Sequence, residues 1–136
     1  MRVPKRPLNL TKVQAAVRQS EAAIRALKRG DFDIVVTLAC AAEGMLKTDQ
    51  LHLFQLLKDH PRVQKYPRKQ WITYLNEERD WLKHPSGTQT MTLDCFSAVV
   101  AISRALSKIG KEHWTALMEE FLEWHRAYLE EVNAKK

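Results

Sequence analysis

The chain has 136 residues, of which 45% are hydrophobic and 28% charged, the ordinary composition of one globular domain and not that of a disordered chain. It contains no apolar run long enough to span a membrane, and its N-terminal residues lack the apolar stretch of a secretory signal, so we expect a single cytoplasmic domain over residues 1–136 with no membrane association. The net charge of +6 is concentrated in residues 1–30 and 58–83, whereas residues 112–131 are acidic, and such a surface can attract polyanions on one side and basic partners on the other.

The first predicted helix follows a basic arm, residues 1–10, which we expect to be flexible. Thr11 and Gln14 have the spacing of a capping box, in which two side chains satisfy free N–H groups of the first turn. Apolar residues then recur every three or four positions as far as Leu27, which predicts an amphipathic helix. Gly30 is expected to end this helix in the left-handed conformation.

A second helix should begin at Asp31 or Asp33 and continue to Leu46. The short connection at Gly30 makes the first two helices an antiparallel hairpin. A third apolar stretch covers residues 51–57, and a basic, proline-flanked loop covers residues 61–68.

The next helix is predicted to run from Trp71 to Lys83, because the residue before Pro85 is biased out of helical geometry. Two further helices carry apolar residues at helical spacing over 95–109 and 114–132, with Gly110 between them. The pattern therefore predicts an all-α protein, a single up-and-down bundle of five or six helices around one core.

The end of the Trp71–Lys83 helix carries the residues that best suit chemistry. On a helical wheel Arg79 lies on the apolar side, so we expect it to meet an anion: Asp80 or Glu43 within the chain, or a phosphate from outside. His84 follows five residues later, where the helix breaks and its ring can turn back toward Arg79. A permanent cation beside a group that titrates near neutrality is a workable pair for phosphodiester cleavage.

The segment Arg79–His84 resembles the R-(polar)-x-x-x-H motif of the HEPN superfamily, and Leu38–Lys47 is similar to the acidic helix that precedes this motif in the family. The resemblance covers roughly residues 12–130. It implies an all-α bundle that forms a homodimer and brings two arginine–histidine pairs into one shared cleft. Catalytic members are metal-independent endoribonucleases, so the resemblance implies RNA as the substrate.

By this analogy each candidate catalytic residue has a role. His84 would transfer the proton of the attacking 2′-hydroxyl or of the leaving oxygen, and Arg79 would hold the scissile phosphate. Asp80 would orient the pair, and Glu43 could support it. Two departures from the family pattern stand out: asparagine is commoner at the position of Asp80, and Ser86 stands where one toxin subgroup has Gln, Thr or Tyr.

Other HEPN domains are non-catalytic scaffolds, which leaves alternatives open. In the first, Arg79 and Asp80 form a helix-end ion pair, His84 caps the last carbonyls, and the chain is a helical interaction module. Such a module would bind its own copy or a protein partner, for example one of the antitoxin type. A further alternative is a nucleic-acid binder that uses only the basic N-terminal face.

Basic residues interleaved with an aromatic residue surround the candidate pair and are typical of RNA-contacting loops, although a solvated loop has the same composition. These candidate RNA contacts are Arg62, Lys65, Tyr66, Arg68, Lys69 and Lys83. An aromatic stripe formed by Trp71, Tyr74 and Trp81 fits a core or a dimer interface better than a base-stacking platform. The spacing of the histidines matches no zinc motif, and Cys40 and Cys95 lie on apolar stripes as expected for buried free thiols. We therefore expect neither a metal nor a cofactor.

Overall fold

The computed structural model describes residues 1–48, 52–61 and 67–135, and over these ranges the regular structure is helical throughout. The prediction of an all-α protein is confirmed. The described α-helices are α1 (Lys12–Arg29), α2 (Phe32–Met45), α3 (Leu53–Lys58), α4 (Arg68–Leu75), α5 (Glu77–Lys83), α6 (Cys95–Leu106) and α7 (Ala116–Ala134), and a 3-10 turn (Lys111–His113) lies between α6 and α7. None of the described helices is both long enough and apolar enough to cross a membrane.

Helix α1 begins and ends as the sequence predicts. The Gln14 backbone N–H donates to the Thr11 hydroxyl oxygen at 3.1 Å, and the Thr11 N–H donates to the Gln14 side-chain oxygen at 3.0 Å, which completes the capping box. Gly30 has φ 78°, a left-handed conformation that few residues with a side chain adopt. Asp31 stands at the N-cap of α2 but does not cap it with its side chain, since its carboxylate accepts a hydrogen bond from Arg29 Nε at 2.9 Å.

The core is formed mainly by α1, α2 and α6, with α2 packed between the other two. Small side chains line these contacts, and because helix separation depends on side-chain size, they let the three helices approach closely. The buried alanines are Ala16, Ala23 and Ala26 of α1, Ala39 and Ala42 of α2, and Ala98, Ala101 and Ala105 of α6. The largest fully buried apolar side chains are Ile24, Val35, Val99, Ile102 and Met118.

The fully buried residues of helix α7 lie in its first half. Met118 and Phe121 are its buried residues, and Lys28 of α1 contacts Glu120 at 2.6 Å. Farther along the helix, Trp124 and Leu129 are exposed. The second half of α7 therefore leaves apolar surface open to solvent.

The helix predicted from Trp71 to Lys83 is in fact two helices, α4 and α5, which meet at Asn76. Arg104 of α6 causes the difference: its Nη1 donates to the Leu75 carbonyl oxygen at 2.8 Å, and its Nη2 donates to Asn76 Oδ1 at 3.0 Å. The backbone N–H of Asn76 bonds back to Ile72 and Thr73, which tightens the last turn of α4. The described chain consequently has seven α-helices where the sequence pattern predicts five or six.

Helix α6 is shorter than its apolar pattern predicts. It ends at Leu106, and the N–H groups of Lys108 and Ile109 bond three residues back in tight turns. Gly110, which was expected to close the helix, has φ −58° and instead precedes the 3-10 turn. The apolar pattern continues through this turn because Ile109 is still buried in the core.

The two cysteines are free thiols, as expected, but Cys40 and Cys95 are only partly buried rather than fully enclosed. Burial nevertheless raises the pKa of the Cys40 thiol to about 11, against the opposing influence of nearby cations such as Arg104. Cys40 is therefore protonated at neutral pH and is a weak nucleophile.

Candidate functional site

The predicted arginine–histidine pair lies on α5, a seven-residue helix that packs against α2. His84 is the C-cap residue, with φ −119° and ψ 145°, and its backbone N–H donates to the Asp80 carbonyl oxygen at 3.0 Å. The helix thus stops at Lys83, immediately before the His84–Pro85 step, as the sequence predicts. Arg79 and His84 therefore both lie at the C-terminal end of this short helix.

Arg79 takes Asp80 as its anionic partner. Its Nε and Nη2 atoms donate to Asp80 Oδ1 at 3.1 and 2.9 Å. The Arg79 side chain is 32% exposed and that of Asp80 is 42% exposed, so the pair is accessible to a ligand. Among the described residues, Arg79 Nη1 makes no hydrogen bond, which leaves two N–H groups of the guanidinium able to bind an anion.

Glu43, the other anion considered for Arg79, is committed elsewhere. Arg104 Nε donates to Glu43 Oε2 at 2.8 Å and Arg104 Nη2 donates to Glu43 Oε1 at 2.9 Å. The Arg104 and Glu43 side chains are only 5% and 8% exposed. Any support that Glu43 gives to α5 is therefore indirect, through Arg104 and its bonds to Leu75 and Asn76 at the start of that helix.

Sequence reasoning missed Arg104, although a signal was present. It stands among the apolar residues of α6, where a guanidinium is seldom buried without an anionic partner. The Arg104 guanidinium also lies over the Phe54 ring, 4.3 Å from its centroid, which encloses its remaining face. Such an arginine on an apolar helix face predicts a buried acid on a neighbouring helix, here Glu43.

His84 is exposed, and no hydrogen bond joins its ring to Arg79 or Asp80 in the part of the chain that the structure describes. Its ring also makes no cap to the last carbonyls of α5 within those residues. The structure therefore brings Arg79 and Asp80 into contact and places His84 at the same helix end, accessible to solvent.

The structure describes three of the six candidate RNA contacts. Arg62, Lys65 and Tyr66 lie outside the described residues. Arg68 pairs with Asp59 at 2.9 Å while remaining exposed, and Lys69 is exposed in the first turn of α4. Lys83 is exposed on α5.

A groove of about 530 Å³ borders Arg79. We call it the aromatic groove, and its defining residues are Trp71 and Tyr74 of α4, Phe96 of α6, and Tyr128 and Leu129 of α7. The Trp71 and Tyr74 rings stack with centroids 5.5 Å apart. Trp81, the third member of the predicted aromatic stripe, does not line the groove and donates its ring N–H to the Thr88 carbonyl oxygen at 2.7 Å.

Within the described ranges, no group of three or more His, Cys, Asp or Glu side chains is arranged to hold a metal ion. Comparisons of the chain with protein-family models, with curated proteins and with solved structures found no match. The relation to the HEPN superfamily therefore remains a prediction from the Arg79–His84 motif.

Proposed function

We propose that this chain is a HEPN-like, metal-independent endoribonuclease that uses Arg79 and His84 in a cleft formed by two copies. The supporting observation is the state of Arg79: Asp80 holds Nε and Nη2, while Nη1 remains uncommitted on a partly exposed side chain. An exposed imidazole follows at the end of the same helix. A fixed cation and a proton carrier are what phosphodiester transfer requires of a protein.

Arg79 would act on the charge of the scissile phosphate. The phosphate gains negative charge as the 2′-oxygen attacks, so a guanidinium already fixed in place stabilises the transition state more than the ground state. A free N–H group of Nη1 can donate to one phosphate oxygen. Asp80 fixes the orientation of the guanidinium, and its negative charge opposes phosphate binding.

His84 would move the proton. In its neutral form it accepts the proton of the 2′-hydroxyl while the 2′-oxygen bonds to phosphorus and the bond from phosphorus to the 5′-oxygen breaks. The departing 5′-oxygen takes a proton from a second, protonated imidazole, which the other copy supplies. The products are a 2′,3′-cyclic phosphate and a free 5′-hydroxyl, and both ends of the reaction balance without a metal ion.

The test is cleavage of RNA by the purified chain in EDTA. We expect His84→Ala to lower the cleavage rate by about a hundredfold or more, since general acid–base groups contribute on the order of 10²–10⁴. The matched control is His113→Ala, which removes an exposed histidine from the 3-10 turn and should leave the rate unchanged. An RNA with a single 2′-deoxy sugar at the cleaved position should resist cleavage there. Cleavage by His84→Ala at the wild-type rate would eliminate this mechanism.

A second candidate function is a non-catalytic helical interaction module that binds its own copy or a protein partner. The observation in its favour is that Asp80 already neutralises Arg79, as in a structural helix-end ion pair. In that case the wild-type chain cleaves no RNA, and Arg79→Ala lowers the free energy of unfolding or of association. Measuring RNA turnover and urea unfolding on the same Arg79→Ala sample separates the two functions.

A further inference from the structure

The N-terminal arm, residues 1–10, makes no helix, and every one of its residues is exposed. Two prolines, Pro4 and Pro7, favour an extended backbone. The arm carries three basic side chains and no acidic one, and the first acidic residue of the given sequence is Glu21. Its exposed large apolar side chains are Met1, Val3, Leu8 and Leu10. The arm is thus a basic, partly apolar peptide that its own chain leaves largely exposed.

The aromatic groove is a concave apolar surface that is open to solvent. Phe96 and Tyr74 are 55% and 64% exposed although they line a concave apolar surface. The two arginines of its lining are each paired with a carboxylate, Arg79 with Asp80 and Arg104 with Glu43. Each arginine charge is therefore balanced by one carboxylate, although Arg79 Nη1 keeps free N–H groups.

The acidic lining residue Glu78 is less well compensated. It accepts a hydrogen bond from the Ser97 hydroxyl at 3.1 Å, and in the described ranges it forms no ion pair with a basic side chain. Glu78 is consequently an uncompensated negative charge in the groove, which suits a basic ligand.

The arm lies outside the groove of its own chain. The arm joins α1 at Thr11, near His113, which precedes α7. The C-terminal end of α1 contacts α7 at Glu120, and the groove residues Tyr128 and Leu129 lie two turns farther along α7. In the structure no residue of the arm lines the groove of its own chain, and Asn9 and Leu10 instead border Val13 and His113.

We propose that residues 1–9 of a second copy lie in the aromatic groove, and that a reciprocal exchange of arms joins two copies into a dimer. An extended nine-residue arm reaches about 28 Å, enough to cross from one copy to the other. Exchange of identical segments gives a closed, two-fold dimer in which each copy covers the other's exposed aromatic side chains. The inference concerns assembly and does not depend on ribonuclease activity, although Arg79 would then lie beside the second copy.

Sedimentation equilibrium on the full chain and on a variant lacking residues 2–9 tests the exchange. The deletion keeps Leu10 and the Thr11 capping box, so α1 should still form. We expect the dimer dissociation constant to rise by at least about tenfold, because the anchoring apolar side chains are lost. A full chain that stays monomeric, or a deletion that leaves the dissociation constant unchanged, overturns the proposal.

A charge exchange makes the test specific to this groove. Glu78→Lys should weaken the dimer, and the triple change of Arg2, Lys5 and Arg6 to Glu in the same chain should restore it. The matched control reverses exposed charges of α1 outside the arm, Lys12→Glu with Arg18→Glu and Arg25→Glu, and should not restore it. Phe96→Lys is a second groove variant. Because the Phe96 side chain is exposed, this variant should fold, and circular dichroism can verify that it does.

Two other outcomes contradict the exchange in different ways. If Glu78→Lys and Phe96→Lys dissociate the dimer but the arm deletion does not, another surface of the second copy occupies the groove. If the deletion changes groove resonances in the NMR spectrum of a monomeric chain, the arm binds its own groove. RNA cleavage is scored separately, so absence of ribonuclease activity in an arm-dependent dimer would refute only the proposed function.

Discussion

Arg104 is the residue on which the local geometry around α5 depends. Its guanidinium satisfies both oxygens of Glu43, the Leu75 carbonyl and the Asn76 side chain, and one face is covered by Phe54. A buried cation costs several kcal/mol of desolvation unless its hydrogen bonds are made, and here they are made. The arginine therefore connects three helices at the point where α4 ends.

Removing one partner of this pair should strongly destabilise the folded chain. Arg104→Met leaves the Glu43 carboxylate buried without a cation, and we expect the free energy of unfolding to fall by about 3–5 kcal/mol. Urea unfolding at neutral pH measures the loss. The matched control is Lys28→Met in the exposed Lys28–Glu120 pair, which should cost at most about 1 kcal/mol. A loss for Arg104→Met no larger than the Lys28→Met loss would show that the buried pair does not stabilise the fold.

At the scale of elements, the sequence predicts what local chemistry determines. The capping box at Thr11 and the left-handed Gly30 depend on neighbours within a few residues, and both are present. The break at Asn76 depends on an arginine 28 residues away, so the helical pattern of residues 71–82 could not reveal it. The Arg79–Asp80 contact is local and was among the predicted alternatives, whereas the commitment of Glu43 to Arg104 required the packed helices.

Two glycines allow a matched test of the helix ends. Gly30 has φ 78°, so Gly30→Ala should destabilise the chain by about 1–2 kcal/mol through backbone strain, although a Cβ there would meet no atom within 4 Å. Gly44 is helical and equally unobstructed, so Gly44→Ala should stabilise it by about 0.5 kcal/mol. Opposite shifts of the thermal midpoint are expected, and equal shifts would contradict the role assigned to Gly30.

At the scale of the whole molecule, the fold is a close-packed three-helix core with looser elements around it. Alanine contacts hold α1, α2 and α6 together, while α7 is buried only at Met118 and Phe121. The sequence predicts α7 as a helix from its apolar spacing, but spacing alone does not show that half of its apolar side faces solvent. Tyr128 and Leu129 of this half line the aromatic groove.

The pH dependence of global stability should reflect His125, which lies on α7. Burial lowers its pKa below 6.5, and its ring stacks on Phe121 with centroids 5.4 Å apart. The unfolded chain therefore takes up a proton at higher pH than the folded chain, so stability is complete above pH 6.5 and falls as the pH decreases below it. Urea midpoints at about pH 7.5 and about pH 5.5 measure the difference.

His125→Gln should make this pH dependence shallower. Some dependence should remain, because burial lowers the pKa of His52 as well and acts in the same direction. An unchanged slope in the His125→Gln chain would remove His125 as a cause.

The pairing of Glu43 with Arg104 also constrains how the chain can evolve. These residues are 61 positions apart, and losing either one leaves its mate as an uncompensated charge in the interior. A single-step change at either site is therefore disfavoured, while simultaneous replacement by two apolar side chains of similar volume is tolerable. In homologous chains positions 43 and 104 should therefore covary. They should hold either an acidic and a basic residue or two apolar residues.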